Sequence, residues 1–178
     1  MRRSNCLRAI QFLCFQIAKS QRCSTTKIWR TSMTCIADAN VLFPLLVDRH
    51  VAYEVARRWW EKRSDDSVGL CLLTRMAVLR LLTNRVAMNG APTTLEVALK
   101  AWQVLAADPR SVFVDIAPSS HENYFASMVA GRKPTPNLWT DAWLAALARS
   151  LDHELVTFDR GFKSFDGIKL NLLNIEGE

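Results

Sequence analysis

The sequence predicts an α/β domain with a mainly parallel sheet and helices on both of its faces. Three observations carry that prediction. Short apolar runs alternate with longer amphipathic ones along the chain. The segments joining the apolar runs are of helix length, as parallel neighbours require. The 178 residues are 49% hydrophobic with six Trp and eight Phe, enough to build one core in a chain of single-domain size.

In chain order, "MTCIA" from Met33 reads as a first strand ending at Asp38. "HVAYEVARRWWEKR" from His50 places Val51, Val55, Arg58/Trp59 and Lys62 near one helical face. "VGLCLL" from Val68 is short and almost wholly apolar, as a strand covered on both faces should be. "TRMAVLRLLTN" then puts Met76, Leu79 and Leu82 at helical spacing. Thr93 followed by Glu96 is a capping-box pattern opening the next helix, which should stop at Asp108 because Pro109 follows. "SVFVDI" from Ser111 is a strand, and a helix from Ser119–Ser120 closes at Gly131. After the proline-containing loop "GRKPTPN" come a helix, "LWTDAWLAALARSL", and a strand, "ELVTFD". "GFKSF" reads as a short turn and "IKLNLLN" as a final edge strand.

Composition narrows the class. No apolar run reaches the roughly 18 residues of a membrane span. Five cysteines without paired metal-ligand spacing make neither a disulfide scaffold nor a zinc site. The formal charge of +6 invites a nucleic-acid reading, but residues 1–37 hold seven Arg or Lys and no acid. Residues 38–178 hold 16 basic and 17 acidic residues, a net of −1. Residues 1–32 therefore read as a basic extension, either dispensable or the product of a start assigned upstream of Met33. A targeting signal and an RNA-touching arm are the alternatives. The working domain is residues 33–178, and any basic groove on it must come from local residues such as Arg75, Arg80, Arg132 and Lys133.

Open parallel sheets bind ligands at the carboxyl ends of their strands. Asp38 and Asp159 each end a predicted strand, and Asp141 lies in the first turn of a predicted helix. If the first and fourth strands are neighbours, the three carboxylates converge. Carboxylates so placed repel one another unless a hard cation such as Mg²⁺ or Mn²⁺ neutralises them, and such a cation activates water against a phosphodiester. Taken singly, each has a bland role: Asp38 as a turn cap, Asp141 as an acid at a helix start, Asp159 as a turn former. Asn40 is placed to hold a turn or a metal-bound water. Thr157, two residues before Asp159, shares its side of the strand. No Walker loop, GxGxxG, GxSxG or CxxC is present. His50, His121 and His153 are isolated and read as packing or surface residues. Cys35 and Cys71 read as buried thiols, and the tryptophans as core or interface.

The segments "MTCIADANVLF", "HVAYEVARRWW", "LLTRMAVLRLLTN", "NLWTDAWLAALA" and "LVTFDRGF" resemble, in order, the PIN-domain ribonuclease toxins of the VapC type. The resemblance covers about Met33 to Ile175. It implies a three-layer α/β/α sandwich with a mainly parallel sheet of about five strands, cytoplasmic and without membrane attachment. It also implies a Mg²⁺-dependent endoribonuclease, with Mn²⁺ as an alternative cation, that leaves 3′-hydroxyl and 5′-phosphate ends. The expected partners are an RNA substrate, a second copy of the chain, and a VapB-like antitoxin. Asp38, Asp141 and Asp159 match three of the family's acids as metal ligands and catalytic residues, with Asn40, Thr157, Thr74 and Arg75 as supporting or substrate-binding residues. The family's second acid, a Glu after Thr, is absent: the sequence reads Thr74-Arg75, with no acid from Ser67 to Leu95. Arg75 there would either clamp an RNA phosphate or compete with the metal. The departure keeps open a weak or inactive RNA- or antitoxin-binding module, and a similar cluster could serve a phosphatase or DNA nuclease.

Overall fold

The computed structural model describes residues 35–114 and 117–175. The basic extension and the end of the "SVFVDI" run lie outside the described residues. The elements are β1 (Cys35–Ala37), α1 (Ala39–Leu45), α2 (Tyr53–Glu61), β2 (Val68–Cys71), α3 (Leu72–Thr83) and α4 (Leu95–Ala107). There follow β3 (Ser111–Val114), α5 (His121–Val129), α6 (Leu138–Ser150), β4 (Glu154–Thr157), a 3-10 turn (Arg160–Ser164) and β5 (Lys169–Leu172). The five strands run in the order β3-β2-β1-β4-β5 with every neighbouring pair parallel. The central β1 pairs Ile36 with Gly69 on one side and Leu155 on the other.

Alternation along the strands divides the core between two faces. Cys35, Ala37, Val68, Leu70 and Val156 pack with α1, α2, α3 and α4. Ile36, Val114 and Leu155 point the other way and pack with α5, α6 and the 3-10 turn. Full burial of an aliphatic side chain such as Ile36 or Leu155 contributes about 2 kcal/mol. The result is the three-layer α/β/α sandwich with a parallel five-stranded sheet.

Several local expectations are corrected. Helix α1 is absent from the sequence reading, which passes from the first strand to the helix at His50. Pro44 sits in the last turn of this seven-residue helix, where it ends the helix rather than interrupting it. In α2 the buried face is Ala56, Trp59 and Trp60, and Val51 precedes the helix and is exposed. The two indoles set the rotation of the helix, while Glu54, Arg57 and Glu61 form an ion-paired ladder on the solvent side. Strand β2 ends at Cys71, so Leu72 and Leu73 belong to α3, whose buried stripe is Thr74, Val78 and Leu82; Met76 is exposed. Helix α4 is capped by Thr94, which accepts from the Val97 N–H, whereas Thr93 donates to the Leu82 carbonyl.

The remaining boundaries follow the local rules. Helix α4 stops at Asp108, whose extended backbone suits a residue before proline. Gly131, with φ +69°, turns the chain just past α5.

Candidate active site

Asp38 leaves β1 as the first residue of a turn into α1. Its backbone N–H donates to the Val156 carbonyl at 3.0 Å, tying it to β4, and its own carbonyl accepts from Val41 and Leu42 at the start of α1. The neighbouring β4 ends in Thr157, which is fully buried. The Thr157 hydroxyl donates to Asp38 Oδ2 at 2.7 Å. The same oxygen accepts from Asn40 Nδ2 at 2.9 Å and from the Asp159 N–H at 3.0 Å. One proton and two lone pairs are thereby used, and the proton goes to the carboxylate as the stronger acceptor. Asn40 Oδ1 in turn accepts from the Phe158 N–H at 3.1 Å. Two segments over a hundred residues apart in sequence are locked together at one end of the sheet.

Asp159 caps the 3-10 turn through Oδ1, which accepts from the Gly161 N–H at 2.7 Å. The turn-forming role weighed for it is real, and it leaves Oδ2 outside that bond. Asp141 lies in the first turn of α6. Its carboxyl is pushed up to about 6, first by burial and then by the charges of Asp38 and Asp159. Burial also raises Asp38, against hydrogen bonds from Thr157 and the Ala39 and Asn40 backbone, and Asp159 adds to the rise. Three carboxylates from three elements thus lie within electrostatic range, each making its neighbours' charge harder to hold.

Oxygen donors of this kind match a hard divalent cation, and their mutual repulsion is what such a cation relieves. Among the described residues, however, no group of three or more His, Cys, Asp or Glu side chains is drawn together as a ready set of metal ligands. The donor chemistry fits a cation, whereas the arrangement is looser than a closed cage.

The other expected residues divide. Thr74 is 2% exposed and closes the first turn of α3, accepting from the Cys71 N–H at 3.1 Å and donating to the Cys71 carbonyl at 3.0 Å. Its hydroxyl is committed to the helix start. Arg75, the next residue, is partly buried, and its Nε is enclosed with no hydrogen-bond partner. Arg132 is a strap: it donates to Ser164 Oγ at 2.9 Å and to the Ser164 carbonyl, and stacks over Phe165. Arg80 and Lys133 are exposed. Sequence reasoning missed Cys71 as a neighbour of the site: burial raises its thiol, and the Asp38 charge adds to that. Its place at the carboxyl end of β2, beside β1, was the available signal.

The histidines pack, as expected for His50 and His121. His121 is buried with Nε2 against the Trp143 carbonyl at 3.1 Å, and His50 accepts from the Ala52 N–H. Cys35 and Cys71 are buried, as are Trp59, Trp60 and Trp102, while Trp139 is 61% exposed.

A family profile described as "PIN domain" matches residues 35–168. The chain is 32% identical over 142 residues to ribonuclease VapC41 of Mycobacterium tuberculosis, spanning 78% of this chain and 97% of that one. It is likewise 32% identical over 135 residues to ribonuclease VapC29 of the same organism, 76% of this chain and 92% of that one. Among solved structures, VapBC2 from Rickettsia felis bound to a promoter DNA fragment matches with a TM-score of 0.55. That match has 16% identity and covers 80% of this chain and 100% of that chain. Mycobacterium tuberculosis VapC20, described as a sarcin-ricin loop cleaving toxin, also gives 0.55, at 14% identity over 76% of this chain and 98% of that chain. At these identities the structural matches speak to fold.

Proposed function

The chain belongs to the PIN-domain family, and on that footing we propose that it is a VapC-type toxin, an endoribonuclease that hydrolyses RNA with the help of a divalent cation. The observation that carries the reading is that Asp38, Asp141 and Asp159 lie within electrostatic range of one another at the carboxyl end of the sheet, where burial first, and then the charges of Asp38 and Asp159, raise Asp141 to about 6. Homology to several ribonucleases of the VapC type supports the substrate class.

In this reading Asp38, Asp141 and Asp159 would hold Mg²⁺ or Mn²⁺, which would supply Lewis acidity toward the phosphodiester and the attacking water. Thr157 and Asn40 fix the orientation of Asp38, so its carboxylate does not have to be ordered when substrate arrives. Gly161 holds Asp159 by one oxygen, and α6 delivers Asp141 from the opposite face of the sheet. Water adds to phosphorus as the bond to the 3′ oxygen breaks, leaving a 5′-phosphate and a 3′-hydroxyl. A VapB-like antitoxin is the proposed inhibitor, since VapBC and FitAB assemblies share the fold. We also propose a homodimer. Among the described residues no helix is long and apolar enough to cross a membrane; a cytoplasmic location is proposed from the family resemblance alone.

A purified full chain incubated with single-stranded RNA, structured RNA, DNA and a simple phosphate ester is the direct test. RNA alone should be cut, in Mg²⁺ or Mn²⁺ and not in EDTA. Cleavage that survives EDTA, or equal cleavage of DNA, would sink the reading. A second reading, a weak or inactive RNA- or antitoxin-binding module, is favoured by the looseness of the carboxylate set. Calorimetric titration with Mn²⁺ separates the two, because the module takes up no ion at the aspartates.

A further inference from the structure

Arg75 is the one cation of α3's first turn, and its position is set by the sheet. Strand β2 runs beside β1 with Ile36 opposite Gly69, which carries Cys71 level with Asp38. The Cys71 thiol responds to the Asp38 charge, so the start of α3 stands next to the carboxylates. Thr74 then pins the first turn by its two bonds to the Cys71 backbone, fixing where the Arg75 backbone leaves the helix.

Two features of Arg75 matter together. Its Nε is closed off by protein without a partner, as is that of Arg63, while the side chain as a whole is only partly buried, so the Nη end is the part that a partner from solution can reach. Yet it makes no ion pair with Asp38, Asp141 or Asp159, although the described ion pairs elsewhere engage Arg57, Arg110 and Lys169. An arginine whose role was to neutralise the aspartates would be bonded to them. Instead its Nη groups are left without an ion pair, one helical turn past Cys71.

We propose that Arg75 is a substrate-binding residue that receives the non-bridging oxygens of an RNA phosphate, with its two Nη groups as a bidentate donor pair. This deepens the ribonuclease reading and rests on it. The guanidinium fork matches two phosphate oxygens at once, which a lysine ammonium does not. The site then divides its work: carboxylates for the cation, one guanidinium for the anion.

The experiment measures binding of a short end-labelled single-stranded RNA by fluorescence polarisation, in Mg²⁺, with every protein carrying Asp38→Asn so that the strand survives. Arg75→Gln should weaken binding about ten-fold and lower the slope of log K against log salt by about 0.7. Arg75→Lys should restore that slope but only part of the affinity. Arg80→Gln, on the exposed side of the same helix, should stay within about two-fold of its parent. Binding by Arg75→Gln equal to the parent overturns the assignment, as does full recovery by Arg75→Lys, which would make Arg75 a mere point charge. Thermal melting of each free protein is the companion measurement; a loss of affinity that tracks a lowered Tm assigns Arg75 to the fold instead. A parent that binds no RNA overturns the ribonuclease reading and the inference together, while a parent that binds regardless of residue 75 overturns the inference alone.

Discussion

Two aspartates at opposite ends of the sheet solve the problem of a withdrawn carboxylate in opposite ways. Asp108, 4% exposed before the first residue of β3, is held by the guanidinium fork of Arg110, with Nε and Nη2 each at 2.8 Å. That guanidinium also lies over the Trp60 ring, 5.3 Å from its centroid. Asp38, at the other end, has a hydroxyl and two backbone N–H groups for company, and its charged neighbours are other acids. The first arrangement completes itself within the protein and contributes to stability. The second gathers negative charge with no cation from the protein beside it, the kind of perturbed carboxylate cluster that marks a candidate site.

The largest expected effect breaks the second arrangement. Asp38→Asn should lower kcat/KM for RNA on the order of 10³-fold, about 4 kcal/mol of barrier. It should relieve growth arrest on expression while the far-UV circular dichroism is retained; full toxicity from the folded variant would remove Asp38 from the site. Asp108→Ala breaks the first arrangement. It should cost about 3 kcal/mol in urea unfolding, because it leaves Arg110 unpaired, while the activity of each folded molecule is unchanged. A smaller loss with impaired cleavage would mean that the two ends are not separable. Thr157→Val leaves the Asp159 N–H and the Asn40 amide without their acceptor, at about 2 kcal/mol. It should also slow cleavage, since Asp38 loses its orienting donor; unaltered kinetics would show that the orientation is held elsewhere.

The smallest effect has the opposite sign. A carboxyl raised in the fold is a charge the fold resists, so its penalty grows as pH rises from the unfolded value near 4 to the folded value of about 6. Asp141→Asn should therefore raise the Tm of metal-free protein at neutral pH, modestly because the group is partly exposed. The gain should vanish below about pH 4 and shrink when Mg²⁺ is added. A gain independent of pH would point to packing rather than charge.

Much of this was legible in the residues. The strand runs, the crossover lengths, and the placement of Asp38 and Asp159 at strand ends and of Asp141 in the first turn of a helix point to the same edge of one sheet. Rotation of the helices was not legible: Val51 and Met76 fit a periodic stripe but lie in solvent, because Trp59–Trp60 in α2 and Val78–Leu82 in α3 bury more area. Nor could spacing show that Thr157 bridges Asp38 and Asn40, since that bond exists only once β4 lies beside β1. Arg75 looked ambiguous between competing with a metal and clamping a phosphate. That it makes no ion pair with the aspartates is visible only in the folded chain.

The central position of β1 has a consequence for synthesis. Asp38 is translated early and waits for Thr157 and Asp159, more than a hundred residues later, because the strand that carries them must slide in beside it. At roughly 5–20 residues per second, the chain spends several seconds on the ribosome with its first aspartate made and its last not yet built. Throughout that interval the contact of Asp38 with Thr157 cannot form, so the carboxylates come together only after β4 has joined the sheet.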